Sequence, residues 1–146
     1  MAIDTSGTWW KGESTSDLQE YLCVLSEEHY QATEFRVSSC SCGSEEFNLR
    51  FDSDEGFASR KCCKCSTKFL ICDSEEIEKE AEPGLWSCAE CTKDQCNVVV
   101  GFSLRKSAED VRWVYVGCRC TSCGVLGCYA DWKIDYSPSL QLMNNV

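Results

Sequence analysis

The chain has 146 residues, 14 of them cysteine, and 24 Asp and Glu against 14 Lys and Arg give it a formal charge of -10. A chain of this length makes one ordinary domain or two small modules whose cores are too thin to stand unaided, and cysteine at this level marks a cross-linked or metal-bound scaffold. The charge disfavours a phosphate-backbone partner and suits a basic protein, and no stretch approaches the ~18 apolar residues of a membrane-spanning helix.

The N-terminus, Met1 to Trp10, has no basic region followed by an apolar one, which predicts a chain that stays in the reducing cytoplasm. In that compartment clustered cysteines are metal ligands or catalytic thiols more often than disulfides, although the even count leaves a disulfide framework open. The acidic excess is uneven: residues 1–82 hold 18 acids and 8 bases, whereas residues 83–146 hold 6 of each.

In chain order, the adjacent Trp9 and Trp10 either plug a core or anchor an interface. Ser16-Asp-Leu-Gln19 has capping-box spacing, and Leu18, Tyr21, Leu22 and Leu25 fall at i, i+3, i+4 and i+7, predicting an amphipathic helix that ends near His29. An entry strand through Glu34–Val37 leads to Cys40. Phe47, Leu49 and Phe51 then alternate with polar residues as in a half-buried strand. Asp52 to Gly56 supplies a turn, and further strands follow at Ala58–Lys61 and Phe69–Cys72. The acidic run from Asp73 to Gly84 reads as a linker or short solvated helix.

The second half repeats the plan, with alternation through Val98, Val100, Phe102 and Leu104, a turn at Ser107–Asp110, alternation again at Val111, Trp113 and Tyr115, and a strand over Val125–Ile134. An aspartate stands eight residues after Cys65 and again after Cys123, at Asp73 and Asp131, which agrees with duplication. Ser137-Pro138 reads as the N-cap and first residue of a short tail helix.

The cysteine pairs are Cys40-Ser-Cys42 and Cys62-Cys-Lys-Cys65, separated by 19 residues, then Cys88-Ala-Glu-Cys91 and Cys120-Thr-Ser-Cys123, separated by 28. Two intervening residues let a tight turn aim both sulfurs at one ion, and a hairpin brings a second such turn alongside to complete a tetrahedron. Gly43 and Gly124, each following a second cysteine, tolerate the positive φ of such turns.

Over residues 38–134 this pattern resembles two tandem copies of the zinc-ribbon superfamily, with rubredoxin-like knuckles of a bacterial-looking type. The resemblance implies a mostly β fold with a small α contribution: two zinc ribbons of antiparallel strands preceded by an N-terminal helix. The implied units are residues 1–37 (helix and entry strand), 38–82 (first ribbon with acidic linker) and 83–146 (second ribbon with a short tail). It also implies two Zn²⁺ ions, one held by Cys40, Cys42, Cys62 and Cys65 and the other by Cys88, Cys91, Cys120 and Cys123. The first knuckle departs from the family's Cys-x-x-Cys by one residue. Cys63 and Cys118 stand as alternative ligands, because Cys63-Lys-Cys65 and Cys118-Arg-Cys120 have that same shorter gap. Iron suits a Cys₄ tetrahedron as well. Cys23, Cys72, Cys96 and Cys128 read as small buried hydrophobes. With eight ligands as thiolates around two Zn²⁺ the charge reaches -14.

Enzymatic readings lack their parts. A hydrolytic zinc site needs an open position and normally a histidine or carboxylate ligand, and the one histidine, His29, reads as a surface or capping residue. The deaminase pattern His-x-Glu with Pro-Cys-x-x-Cys, a catalytic triad and a glycine-rich phosphate loop are all missing from the sequence. Trp86-Ser-Cys88-Ala-Glu-Cys91 is similar to the motif of thioredoxin-like redox enzymes but lacks their βαβ setting. Zinc ribbons commonly bind nucleic acid, yet Arg36, Arg50, Arg60, Lys61, Lys64 and Lys68 are diluted by acids, and only Arg105, Lys106, Arg112 and Arg119 could form a small patch. In size and charge alone the chain is similar to immunity proteins, which block basic toxin nucleases. The expectation is therefore a non-enzymatic acidic module that binds or inhibits a basic protein, using Trp9, Trp10, Asp52, Asp54 and Glu55.

Overall fold

The computed structural model describes residues 3–106 and 110–146; part of the turn expected at 107–110 falls outside the described residues. The fold is mostly β, with eight strands in one antiparallel sheet and one substantial helix near the N-terminus. Helix α1 is Thr15–Leu25, and the strands are β1 Glu34–Val37, β2 Phe47–Asp52, β3 Phe57–Cys62, β4 Lys68–Leu70, β5 Gly84–Leu85, β6 Cys96–Leu104, β7 Val111–Cys120 and β8 Leu126–Lys133. A single turn of helix, α2 (Ser74–Ile77), precedes β5, and a 3-10 helix spans Leu140–Asn144.

The main path of the sheet is β4-β3-β2-β6-β7-β8, with β1 added beside β6 and β5 beside β2. Each half contributes one hairpin, β2–β3 or β6–β7, whose open end carries its cysteine turns. The hairpins meet where Phe47 of β2 pairs with Cys96 of β6. Phe47 also pairs with Cys62, as Cys96 does with Cys120, so the meeting residues occupy equivalent positions. The bonds around them are reciprocal: Asn48 Nδ2 donates to Asp94 O at 2.9 Å and Asn97 Nδ2 to Glu45 O at 2.8 Å. Cys63 N likewise donates to Glu46 O and Thr121 N to Gln95 O. The duplication seen in the cysteine spacing thus has a local two-fold axis between Phe47 and Cys96.

The entry strands are exchanged across that axis. Strand β1, leading into the first pair of cysteines, lies on β6 with Val37 opposite Val99, while β5, leading into the third pair, lies on β2 with Leu85 opposite Arg50. Ser38 N donates to Val98 O and Trp86 N to Leu49 O, again equivalent bonds. The halves are interlocked through backbone ladders, and one core of Phe47, Leu49, Trp86, Val98, Val100 and Phe102 draws on both. Burying each of these large side chains contributes ~1.5–3 kcal/mol.

The opposite face of β6 and β7 is covered by α1 through Leu18, Leu22, Val99, Tyr115 and Leu126. Gly117 permits this docking, because a Cβ there would lie 2.9 Å from Leu22 Cδ2. Coverage of both faces explains why β6 is buried nearly throughout instead of alternating.

Several local expectations need correction. Helix α1 starts at Thr15 with Ser14 as N-cap, and Asp17, not Ser16, reaches back to accept the Glu13 N–H at 2.8 Å. It stops at Ser26, whose hydroxyl donates to Leu22 O and accepts from Ala32 N, turning the chain three residues before His29. Leu18 and Leu22 are buried as expected, but Leu25 is exposed and lines a surface groove with Trp9, Tyr21 and Val24. The tail helix begins after Ser139 and not at Ser137, since Asp110 ties down the Ser137 hydroxyl and the Ser139 N–H.

Candidate metal centres

Four turns of nearly one design present the eight clustered cysteines. In three of them the N–H of the first cysteine donates to the carbonyl five residues on (Cys62 to Thr67, Cys88 to Lys93, Cys120 to Val125). The N–H four residues on returns to the cysteine carbonyl, from Ser66, Thr92 and Gly124. The shorter Cys40-Ser-Cys42 turn keeps this ladder with one residue removed: Cys40 N donates to Ser44 O and Gly43 N returns to Cys40 O, both at 2.8 Å. In all four the residue after the second cysteine has positive φ, 93° at Gly43, 65° at Ser66, 65° at Thr92 and 85° at Gly124. The sequence signals this only at the two glycines; Ser66 and Thr92 adopt the same conformation because the ladder imposes it.

The turns converge in pairs. Cys40, Cys42, Cys62 and Cys65 form one group and Cys88, Cys91, Cys120 and Cys123 the other, all sulfurs of each within 4.8 Å of one another. Cys40 and Cys65 Sγ lie 3.4 Å apart and Cys42 and Cys62 3.6 Å; in the second group Cys88–Cys123 and Cys91–Cys120 are both 3.5 Å. A disulfide needs ~2.05 Å, whereas sulfurs ~2.3 Å from one tetrahedral ion stand about 3.8 Å apart. The spacing excludes disulfides within the groups and lets each group hold a metal ion, and all fourteen cysteines are free. Cys63 and Cys118 belong to neither group; Cys118 is fully buried and Cys63 half-buried.

Each cage has two buried cysteines and two nearer solvent, Cys42 and Cys65 in the first and Cys91 and Cys123 in the second. The Cys65 and Lys64 N–H groups point at Cys62 Sγ from 3.5 and 3.4 Å and hold that thiol down to about 6. The Lys93 N–H similarly brings Cys91 to about 7. Thiols lowered in this way supply thiolate, the form a metal binds. Burial, followed by the neighbouring thiols, pushes Cys123 up to about 12 in the absence of a cation, so four sulfurs packed this closely call for a positive charge at their centre.

The two cages are braced by different ends of the chain. At the first, the buried Arg60 guanidinium lies between the Phe47 and Phe69 rings, 4.6 and 4.4 Å from their centroids, and its Nε donates to Val146 O at 2.7 Å. At the second, Gly12 N donates to Gly124 O, Leu126 N donates to Trp10 O, and Lys11 pairs with Glu90. Gly124 has no room for a side chain, since a Cβ would stand 2.7 Å from Gly12 O.

The other sequence-selected residues lie apart from the cages. Asp52 accepts the Glu55 and Glu82 N–H groups, leaving Asp54 and Glu55 exposed at the β2–β3 tip. Trp9 is largely exposed, and Trp10 packs edge-on against Tyr21, centroids 6.0 Å apart. His29 meets Trp113 edge to face with 4.6 Å between centroids. The duplicated aspartates each accept an indole N–H, Asp73 from Trp132 and Asp131 from Trp113. Among the described residues no helix is long and apolar enough to cross a membrane. Comparison with protein-family models, curated proteins and solved structures finds no match for this chain.

Proposed function

We propose that the chain is a non-enzymatic scaffold, stapled by two structural Zn²⁺ ions, that binds a basic protein through its acidic surface and so acts as a binding or inhibitory module. The observation that carries this reading is the closed donor set of each cage. Four sulfurs lie close enough together to hold one ion, and a four-thiolate site leaves no coordination position for the water or substrate that catalytic zinc requires. The metal's contribution is then to folding, because each ion would tie together the two cysteine turns at the open end of one hairpin, and binding free energy at such a closed site is folding free energy. The charge of -10, deepened to -14 by two zinc-thiolate cages, supplies the attraction for a basic partner.

Elemental analysis and an absorbance spectrum of protein purified without added metal test the first part. Near two zinc per chain, with about eight thiols becoming titratable only on chelation, is the expected result. A red iron spectrum would move the assignment to a redox rubredoxin-like centre. For the partner, salt-sensitive retention on an immobilised basic protein is expected, and retention on nucleic acid at physiological salt would replace that reading.

A further inference from the structure

The described surface exposes five large hydrophobic side chains, Trp9, Val24, Leu25, Leu85 and Tyr136. Three of them line one groove. Trp9 is 44 % exposed, Val24 42 % and Leu25 47 %, and with Trp10, Tyr21 and Leu126 they enclose about 330 Å³ between the N-terminal segment and the last turn of α1. Hydrophobic side chains scattered singly are ordinary on a protein surface, but a cluster shaped into a groove is the usual mark of a partner.

The charge of the segment that carries the α1 wall of this groove identifies the chemistry of that partner. Residues 13–35 contain six carboxylates and neither Lys nor Arg. Asp17 is buried and Glu34 lies near Arg36, which leaves Glu13, Glu20, Glu27 and Glu28 exposed and outside every ion pair among the described residues. Both cations that flank the segment are engaged, Lys11 by Glu90 and Arg36 by Glu34. A second copy of the chain docked through this groove would bring the acidic α1 segment against its own image in a two-fold interface, so like charges oppose that occupant.

We infer that this groove is the docking site for a basic segment of a partner protein, one that inserts apolar or aromatic side chains between Trp9 and Leu25 while its Lys and Arg residues meet Glu13, Glu20, Glu27 and Glu28. The inference rests on the proposed reading of the chain as a protein-binding scaffold and locates its binding face. It also couples binding to one metal centre. The groove wall bearing Trp9 and Trp10 is held by Gly12 N–H to Gly124 O at 2.9 Å and Leu126 N–H to Trp10 O at 2.8 Å, both anchored on the last cysteine turn of the second cage.

The probe is a synthetic amphipathic peptide with Leu and Phe along one face and Lys and Arg on its flanks, alongside a version with Glu in place of the cations. Binding is followed by isothermal calorimetry for every variant and, in wild type, by the change in total tryptophan fluorescence, to which Trp9 and Trp10 contribute two of five indoles. The cationic peptide is expected to bind and the anionic one to fail. Affinity should fall as ionic strength rises from about 0.01 to about 0.15 M, where screening shortens from ~30 to ~8 Å. The exposed-site variant Trp9→Ser/Leu25→Ser should lose about tenfold in affinity, and Glu20→Lys/Glu28→Lys should weaken binding and flatten its salt dependence, both with metal content unchanged. If the basic protein column retains wild type and the Trp9→Ser/Leu25→Ser variant equally, the groove assignment is overturned while the scaffold reading survives. If neither is retained, the scaffold reading itself is lost. A dimer of this chain that dissociates on Leu25→Ser would make the groove a self-association face and would also overturn the inference.

Discussion

Replacing Gly43 and Gly124 separately by alanine separates two things glycine does in the cysteine turns. Both positions have positive φ, 93° and 85°, so alanine costs ~1–2 kcal/mol at either from the left-handed backbone alone. Around Gly43 a Cβ meets nothing within 4 Å, whereas at Gly124 it would stand 2.7 Å from the Gly12 carbonyl, a backbone atom that cannot move without its segment. Relief there breaks the Gly12 N–H to Gly124 O bond and loosens the adjoining Leu126 N–H to Trp10 O and Arg119 Nε to Gly12 O bonds. At ~0.5–1.5 kcal/mol each, losing one or two of these brings Gly124→Ala to ~3–4 kcal/mol against ~1–2 for Gly43→Ala. For a chain of this size a kilocalorie moves the midpoint by ~3 °C, so thermal unfolding in zinc-buffered solution should show drops of about 10 and about 5 °C. Limited proteolysis should open the Trp9–Lys11 segment in Gly124→Ala alone. Equal drops and equal proteolysis in the two variants would refute the claim that the N-terminal segment is stapled to the second cage.

Chelation of both ions should remove most of the cooperative thermal transition, as monitored by near-UV circular dichroism, since binding free energy at structural sites is folding free energy; an unchanged melt would make the cages incidental. Gly117→Ala should cost ~1–3 kcal/mol by overpacking against Leu22, and Leu22→Ala in the same chain should cost less than its effect in wild type, a coupling that a double-mutant cycle on urea midpoints reads directly. Thr92→Gly should raise the melting midpoint by a degree or two, because relief of a β-branched residue at φ 65° outweighs the ~0.4–1 kcal/mol entropic cost of glycine; a lower midpoint would show that the Thr92 hydroxyl's bond to Cys91 O matters more. Fragments 3–82 and 83–146, expressed apart, should each give poorly dispersed amide NMR spectra and recover native dispersion when mixed, since each supplies an entry strand to the other's hairpin; two well-folded fragments would mean that the exchange contributes little.

Although the exclusion of Cys63 and Cys118 from the sulfur groups came from the fold, the residue pattern alone was enough for the β-rich composition, the position of the helix, the strands flanking each turn and the close-spaced cysteine pairs. These are local properties: period-two alternation at Phe47, Leu49 and Phe51 and close cysteine spacing are set by neighbours a few residues away. Gly43 and Gly124 announced their backbone conformation because glycine is the residue that adopts it freely. Ser66 and Thr92 did not, since their positive φ is imposed by hydrogen bonds closed around the whole turn. Long-range packing is what makes β1 and β5 trade places across the two-fold axis, sets Arg60 between two phenyl rings beside the first cage, and leaves Leu25 in an open groove when its spacing reads as core. A side chain's periodicity states which face of its helix it occupies. Whether the sheet extends far enough to cover that face depends on strands many residues distant, and no local pattern carries that information.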